Sequence, residues 1–439
     1  METIEVIPAS PDPLARWSSV VGPETLGLLD HLRLPPESSE RLQREAVSVL
    51  GRCAPPAHPN GHETGLVLGY VQSGKTMSFT TVAALARDNG YRLIIVLTGL
   101  TRNLFNQSGD PLERDLRLTE RGDRHWLFLP NSRLRSDVLQ SIQMALADED
   151  HLPGARRTTV LITVVKNGTW LDPLRRLLSE LGLALATVPT LIIDDEADQT
   201  RPNNNVRDGT ESATYRRILA VRQQLPHHTF LQYTATPQAP LLINIIDILS
   251  PNFAEALTPG PTYTGGRAFF EGDLALARRI PDNDTPTTNH PLHEPPESLL
   301  EAMWVFFRGV AVGMHDGEQE NRSMMVHPSK RTMRHGDYFQ WGRSTQNLWD
   351  GILAGGQGEA DYRNLIDDCR CAYTDLAGTA PGIPAFEELL PFLRRAIRRA
   401  VMTEVNAARG DDGGERGARP DATAGLAADL LAHRRRRGA

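Results

Sequence analysis

Chemistry enters this chain through a lysine. Only three lysines, Lys75, Lys166 and Lys330, stand among 47 basic residues. Lys75 belongs to the run Gly69-Tyr-Val-Gln-Ser-Gly-Lys-Thr76. Glycines at these spacings let a backbone curl until its N–H groups converge on an anion. The Lys75 ammonium then reaches β- and γ-phosphates, and the Thr76 hydroxyl suits a magnesium ion. A chain that writes nearly every basic residue as arginine keeps a compact ammonium here, where a planar guanidinium is too wide. Codon drift in a GC-rich genome would leave the same trace. The expected nucleotide cradle is Gly69, Ser73, Gly74, Lys75 and Thr76, with ATP and Mg²⁺ as its occupants. The alternative is a purely structural glycine turn.

A second group of reactive side chains ends the run Leu191-Ile-Ile-Asp-Asp-Glu-Ala-Asp198. An apolar strand that finishes in acids places them at its C-terminal edge, where ligands of open α/β sheets bind. Asp195 there would hold Mg²⁺ through its water shell, and Glu196 would orient and deprotonate an attacking water. Asp194 competes for the metal role if the strand ends one residue earlier. A solvated acidic loop is the bland alternative. Thr234-Ala-Thr236 offers short hydroxyls that can bond those acids and sense a γ-phosphate, or simply make a turn.

These side chains need elements to hold them. Leu66-Val-Leu68 reads as a short strand before the glycine loop, and a helix with Phe79, Val82, Leu85 and Ala86 on one face follows it. The continuous apolar runs 92–98, 159–165, 190–194 and 228–236 read as buried parallel strands. Helical stretches at 171–183 and 212–224 separate them. This alternation predicts an α/β domain, a RecA-like parallel sheet covered on both faces, over 61–250. Residues 1–60 read as a helical lead-in broken by proline. Residues 251–406 read as a second, incomplete α/β lobe, with a helix from Ser298 to Met314, a strand Ser323-Met-Met-Val-His327 and helical sequence at 330–354 and 384–406. From 407 to 439 the Gly, Asp, Arg and Ala bias predicts a disordered tail.

Bulk composition narrows the function classes. The chain has 439 residues, 40% apolar and 23% charged, an ordinary balance for a globular protein. Its net charge of −7 argues against a surface that coats nucleic acid but leaves room for a local basic groove. No apolar run reaches the ~18–20 residues of a membrane span. The acidic N-terminus lacks signal-peptide character, and three cysteines are too few for a disulfide framework. The default expectation is a cytoplasmic protein with no membrane partner.

In their order and spacing, the phosphate loop, Asp195-Glu-Ala-Asp198 and Thr234-Ala-Thr236 resemble motifs I, II and III of superfamily 2 helicases and translocases. Together with Tyr263-Thr-Gly-Gly266 and Met325-Val-His327, they resemble the Z-one domain family over about 65–340. That family is catalogued under an endonuclease name and occurs near restriction and phage-defence genes. The resemblance implies two RecA-like lobes clamping ATP, with DNA and defence-system proteins as partners. It implies that Thr234 and Thr236 couple the nucleotide to movement. It also implies that Gln43 reads adenine, although a surface glutamine on a helix fits equally. Thr98, Arg102, Asn103 and Gln107 follow the second strand where such proteins touch the nucleic-acid backbone, the alternative being an ordinary polar loop. Lys166 and Lys330 each follow an apolar run and are placed to meet phosphate or substrate; the alternative is a helix-start lysine with its ammonium in water.

The resemblance also has gaps. The Gly-rich segment and arginine finger of a complete second lobe are not found, and the sequence reads as truncated or frameshifted near 407, the alternative being a genuine short family member with a disordered tail. No acid lies two residues before any lysine, so a restriction-type nuclease core finds no support. The expectation is an ATP-binding, superfamily-2-like module with slow hydrolysis, or a nucleotide-binding regulator that does not hydrolyse.

Overall fold

The apolar runs form the centre of one parallel sheet. The computed structural model describes residues 14–57, 61–70, 74–100, 102–123, 125–147, 157–200, 213–236, 250–261, 263–271, 276–286, 291–329, 333–356, 359–380 and 382–404. Strands β1 (His62–Leu68), β2 (Leu93–Thr98), β3 (Trp126–Pro130), β4 (Thr159–Val165), β5 (Thr190–Asp195), β6 (His228–Thr234) and β7 (Phe253–Ala256) lie in the order β3-β4-β2-β5-β6-β1-β7. Every pairing is parallel. β2, β4, β5 and β6 are buried at every position, which is why they read as unbroken apolar sequence.

Helices cover both faces. On one side lie α1 (Pro23–Leu32), α2 (Pro36–Gly51), α3 (Lys75–Asp88) and α4 (Arg102–Asp115), whose Leu28, Val49, Phe79, Val82 and Leu112 pack with Leu191 and Ile193 of β5. On the other lie α5 (Ser136–Ala147), α6 (Gly168–Leu181) and α7 (Ala213–Arg222), whose Ile142, Leu174 and Ile218 pack with Ile192. Successive strand residues point to opposite faces. Asp195 therefore falls on the α3 face, and Asp194 on the α6–α7 face. The result is an α/β architecture compatible with a RecA-like fold.

The chain divides into two compact units, Met1–Gly265 and Gly266–Ala439. The expected boundary at 250 falls short, because β7 pairs with β1 and extends the sheet. The second unit also differs from expectation. Its described residues form the short helix α8 (Gly266–Phe270) and then α9 (Glu297–His315), α10 (Met333–Gly355), α11 (Ala360–Thr379) and α12 (Phe386–Arg399). No strand occurs among them, so the α/β second lobe is not what these residues build. Ser323–His327 pairs with no strand there, and Met325 is 89% exposed. The core of this unit gathers Trp304, Phe307, Trp349, Leu365, Phe386 and Leu393. The rings of Trp304 and Trp349 stack at 3.7 Å and 12°. No described helix is long and apolar enough to cross a membrane. The tail expected from 407 lies outside the described residues.

Candidate functional site

Register brings three strand ends together. Leu68 of β1 pairs with Thr234 of β6, and Tyr233 of β6 pairs with Asp195 of β5. The Gly69 N–H donates to the Thr234 carbonyl at 3.1 Å, so the glycine run leaves the sheet beside the Thr234–Thr236 turn. A Cβ on Gly69 would lie 2.6 Å from Lys75 Cγ, so only glycine lets the lysine stem fold back across the strand end. Gly74 caps α3 with φ 96°, a left-handed conformation that glycine adopts without strain. Helix α3 starts at Lys75 and aims the unpaired N–H groups of its first turn at this edge. Thr76 lies one residue further, partly exposed, with its carbonyl accepting the Thr80 hydroxyl at 2.8 Å.

The acids reach the same edge. Lys75 Nζ lies 3.3 Å from Glu196 Oε1, and the Glu196 side chain is 33% exposed. β5 ends at Asp195, whose Oδ1 accepts the Glu196 N–H at 3.0 Å. Glu196 itself adopts φ 57°, a left-handed backbone that costs a non-glycine residue about 1 kcal/mol or more. Asp198 accepts the Thr234 hydroxyl at 3.0 Å and the Thr236 hydroxyl at 2.7 Å. The Thr236 N–H in turn donates to Thr234 Oγ1 at 3.0 Å. Both threonines thus hold Asp198, the last acid of the Asp195–Asp198 run.

Lys166 departs from both readings of its sequence. Its ammonium is neither in water nor at a surface where it could meet phosphate. The side chain is fully buried, reaches past the end of β2, and pairs with Asp194 at 2.8 Å. The Asp194 side chain is 2% exposed. Burial pushes the Asp194 carboxyl up from its ordinary value, and Lys166 offsets part of that. Asp194 is thereby committed to an internal partner, which leaves Asp195 as the acid on the α3 face.

The other expected contacts are distributed as follows. Thr98 is fully buried and donates its hydroxyl to the Val164 carbonyl at 3.2 Å, so it is not a surface contact for nucleic acid. Arg102, Asn103 and Gln107 lie on α4, and their side chains are outside the described residues. Ser73 and Lys330 are outside them as well. Gln43 is half-buried on α2. Glu45, about half a turn round that helix, accepts the Thr258 N–H at 2.8 Å. Among the described residues, Gln43 is not part of the hydrogen-bonded cluster around Lys75. Tyr263 stands over Tyr70 with ring centroids 5.7 Å apart, so the start of the Tyr263–Gly266 segment lies against the glycine loop. The sequence raised Lys166 only as a phosphate or surface lysine and gave no sign of its pairing with Asp194, because that partner is on a strand that is not its neighbour.

No protein-family model matches the chain, and comparison with curated proteins finds no relative. Among the described residues no three His, Cys, Asp or Glu side chains converge as a metal cluster. What the site holds is a cation, Lys75, and three carboxylates, Asp195, Glu196 and Asp198, beside Gly69 and Gly74 at one sheet edge.

Proposed function

We propose that this chain is an ATP-binding module of superfamily 2 type, related to Z-one domain proteins that act on DNA in restriction or phage defence. The observation that carries the reading is the meeting of Lys75 with Glu196, 3.3 Å apart, at the C-terminal edge of a parallel sheet. The donor set fits Mg·ATP. Gly69 and Gly74 leave room that a Cβ or a right-handed backbone would close, α3 presents its N-terminus, and Lys75 supplies the cation. Thr76 and Asp195 suit a magnesium ion that keeps most of its waters and takes its remaining ligands from phosphate. Such an ion, when bound, neutralises charge on the β- and γ-oxygens. Glu196 would hold the attacking water and accept its proton. Thr234 and Thr236 would pass any shift at Asp198 to the end of β6. Gln43 is a candidate for reading adenine, by resemblance alone.

Turnover by this chain is expected to be slow. An arginine finger contributes ~10³–10⁵ in rate to phosphoryl transfer. The described residues of the second unit are helical and contain no second sheet to carry one. This observation favours a second reading beside the first, a nucleotide-dependent regulator that barely hydrolyses. Phosphate release with and without DNA separates the two. Calorimetry with Lys75→Ala tests their common basis: ATP binding should be lost, and unchanged affinity would sink both.

A further inference from the structure

The deepest cation of the site has no role in the reading above. Lys166 has three N–H bonds to give, and three acceptors take them: Asp194 Oδ1 at 2.8 Å, the Asp195 carbonyl at 2.6 Å and the Glu196 carbonyl at 2.9 Å. Two of those acceptors are the consecutive backbone carbonyls that bracket the left-handed Glu196 residue. An L residue leaves that conformation unless its surroundings hold it. Glu196 N–H is tied to Asp195 Oδ1, and the Glu196 carbonyl is tied to Lys166, so both sides of the residue are fixed. Asp194 pairs with the ammonium at 2.8 Å, and both side chains are buried at the packed ends of the strands.

We propose that Lys166 is a positioning residue: it clamps the Asp195–Glu196 turn in its left-handed form and so aims the Glu196 carboxylate at Lys75. The clamp itself is independent of any ligand. Its consequence for catalysis rests on the ATPase reading.

Removing Lys166 alone would leave a buried Asp194 charge, so the clamp is best removed together with its counterion, as Lys166→Met/Asp194→Asn. Paired removal of buried charges is commonly tolerated where single removal is not. The first measurement is a double-mutant cycle in urea unfolding, crossing that pair with Glu196→Gly. In the intact protein Glu196→Gly relieves a strained backbone, which offsets glycine's extra freedom in the unfolded chain. Without the clamp the turn has already relaxed, and glycine brings only its entropic cost. Glu196→Gly should therefore lower the folding equilibrium constant ~5-fold more in the clampless background than in the natural one. Additivity within about twofold would overturn the proposal, because the turn would then hold without Lys166. If the pair variant does not fold, Lys166→Arg and Asp194→Glu, which keep the charges but move the donors, serve as the background for the same cycle.

The second measurement uses Mg·ATP and single turnover with protein in excess. The clampless variant should bind within about threefold of the natural protein, since Lys75 and its loop are untouched, and react ~10-fold or more slowly. Adding Glu196→Gln should then cost nothing further, as expected of two groups that act as one. A clampless variant that reacts at the natural rate while Glu196→Gln alone slows it would overturn the catalytic consequence. Failure of the natural protein to bind ATP would end the ATPase reading and leave the unfolding cycle to decide the clamp.

Discussion

A triphosphate entering the glycine loop meets an ammonium that already has a carboxylate beside it. Glu196 and Lys75 form a partly exposed pair, and such pairs contribute at most about 1 kcal/mol. Glu196→Gln removes the competitor and keeps the shape. ATP affinity measured by calorimetry should therefore rise, up to ~5-fold, while any turnover falls. Weaker binding would show that Glu196 helps to hold the nucleotide. The two neighbouring aspartates should fail differently. Asp194→Ala strands the buried Lys166 cation and should lower unfolding stability in urea by about 3–5 kcal/mol. Asp195→Ala, on the α3 face, should cost less stability but weaken the magnesium dependence of ATP binding. The reverse pattern would exchange the roles of the two acids. The sequence could rank these acids only by where β5 stops. What ranks them in the fold is Lys166, whose pairing with Asp194 local sequence could not show because the partner strand lies two places away in the sheet. Lys75, Asp195 and Glu196 were legible because each sits in a contiguous run that carries its own chemistry.

The central strands were legible for the same local reason. β2, β4, β5 and β6 are buried on both faces and spell unbroken apolar runs. The edge strands were not. β7, Phe-Ala-Glu-Ala, is half-exposed and only four residues long, and β3 is a five-residue segment ending in proline. Helix α11 also escaped notice, with only three buried positions in twenty residues. Ser323–His327 has the apolar content of a strand, but pairing depends on a neighbour that local sequence cannot specify. At the opposite end of β6, element packing sets a titration. His228 donates its Nδ1–H to the Leu225 carbonyl at 2.7 Å, while its Nε2 accepts from Arg222 Nε at 3.0 Å. Burial, and then the Arg222 charge, lower its pKa to about 3. The folded protein therefore refuses a proton that the unfolded chain accepts near the ordinary value of 6.5. This contribution is complete above pH 6.5 and is lost as pH falls from there through about 3. At about 1.4 kcal/mol per unit the ceiling is roughly 5 kcal/mol. Urea midpoints between pH 7 and 5 should fall in the natural protein and fall less in His228→Gln, whose amide can accept from Arg222 without titrating. An equal slope in both proteins would assign the loss to other groups.

At the scale of the molecule, each unit has a core of its own. The sheet and the helices on both its faces are complete by Gly265, and the helices of the second unit pack around Trp304, Phe307 and Trp349. A fragment ending at Gly265 should unfold cooperatively and bind ATP within a few-fold of the whole chain, since Lys75, Asp195, Glu196 and Thr234 all lie inside it. A fragment without a cooperative transition would show that the first unit depends on the second. The two indoles stacked 12° from parallel give a way to follow the units separately. Chromophores so close share their ultraviolet excitations, and in a fixed chiral arrangement they produce paired circular-dichroism bands of opposite sign. In the first unit Trp17 donates to the Cys53 carbonyl, Trp126 donates to Glu24, and Trp170 lies under Arg133. None of them is stacked on another indole among the described residues. The couplet therefore belongs to the second unit alone, and its loss during melting would time the opening of that unit without a label or a substitution.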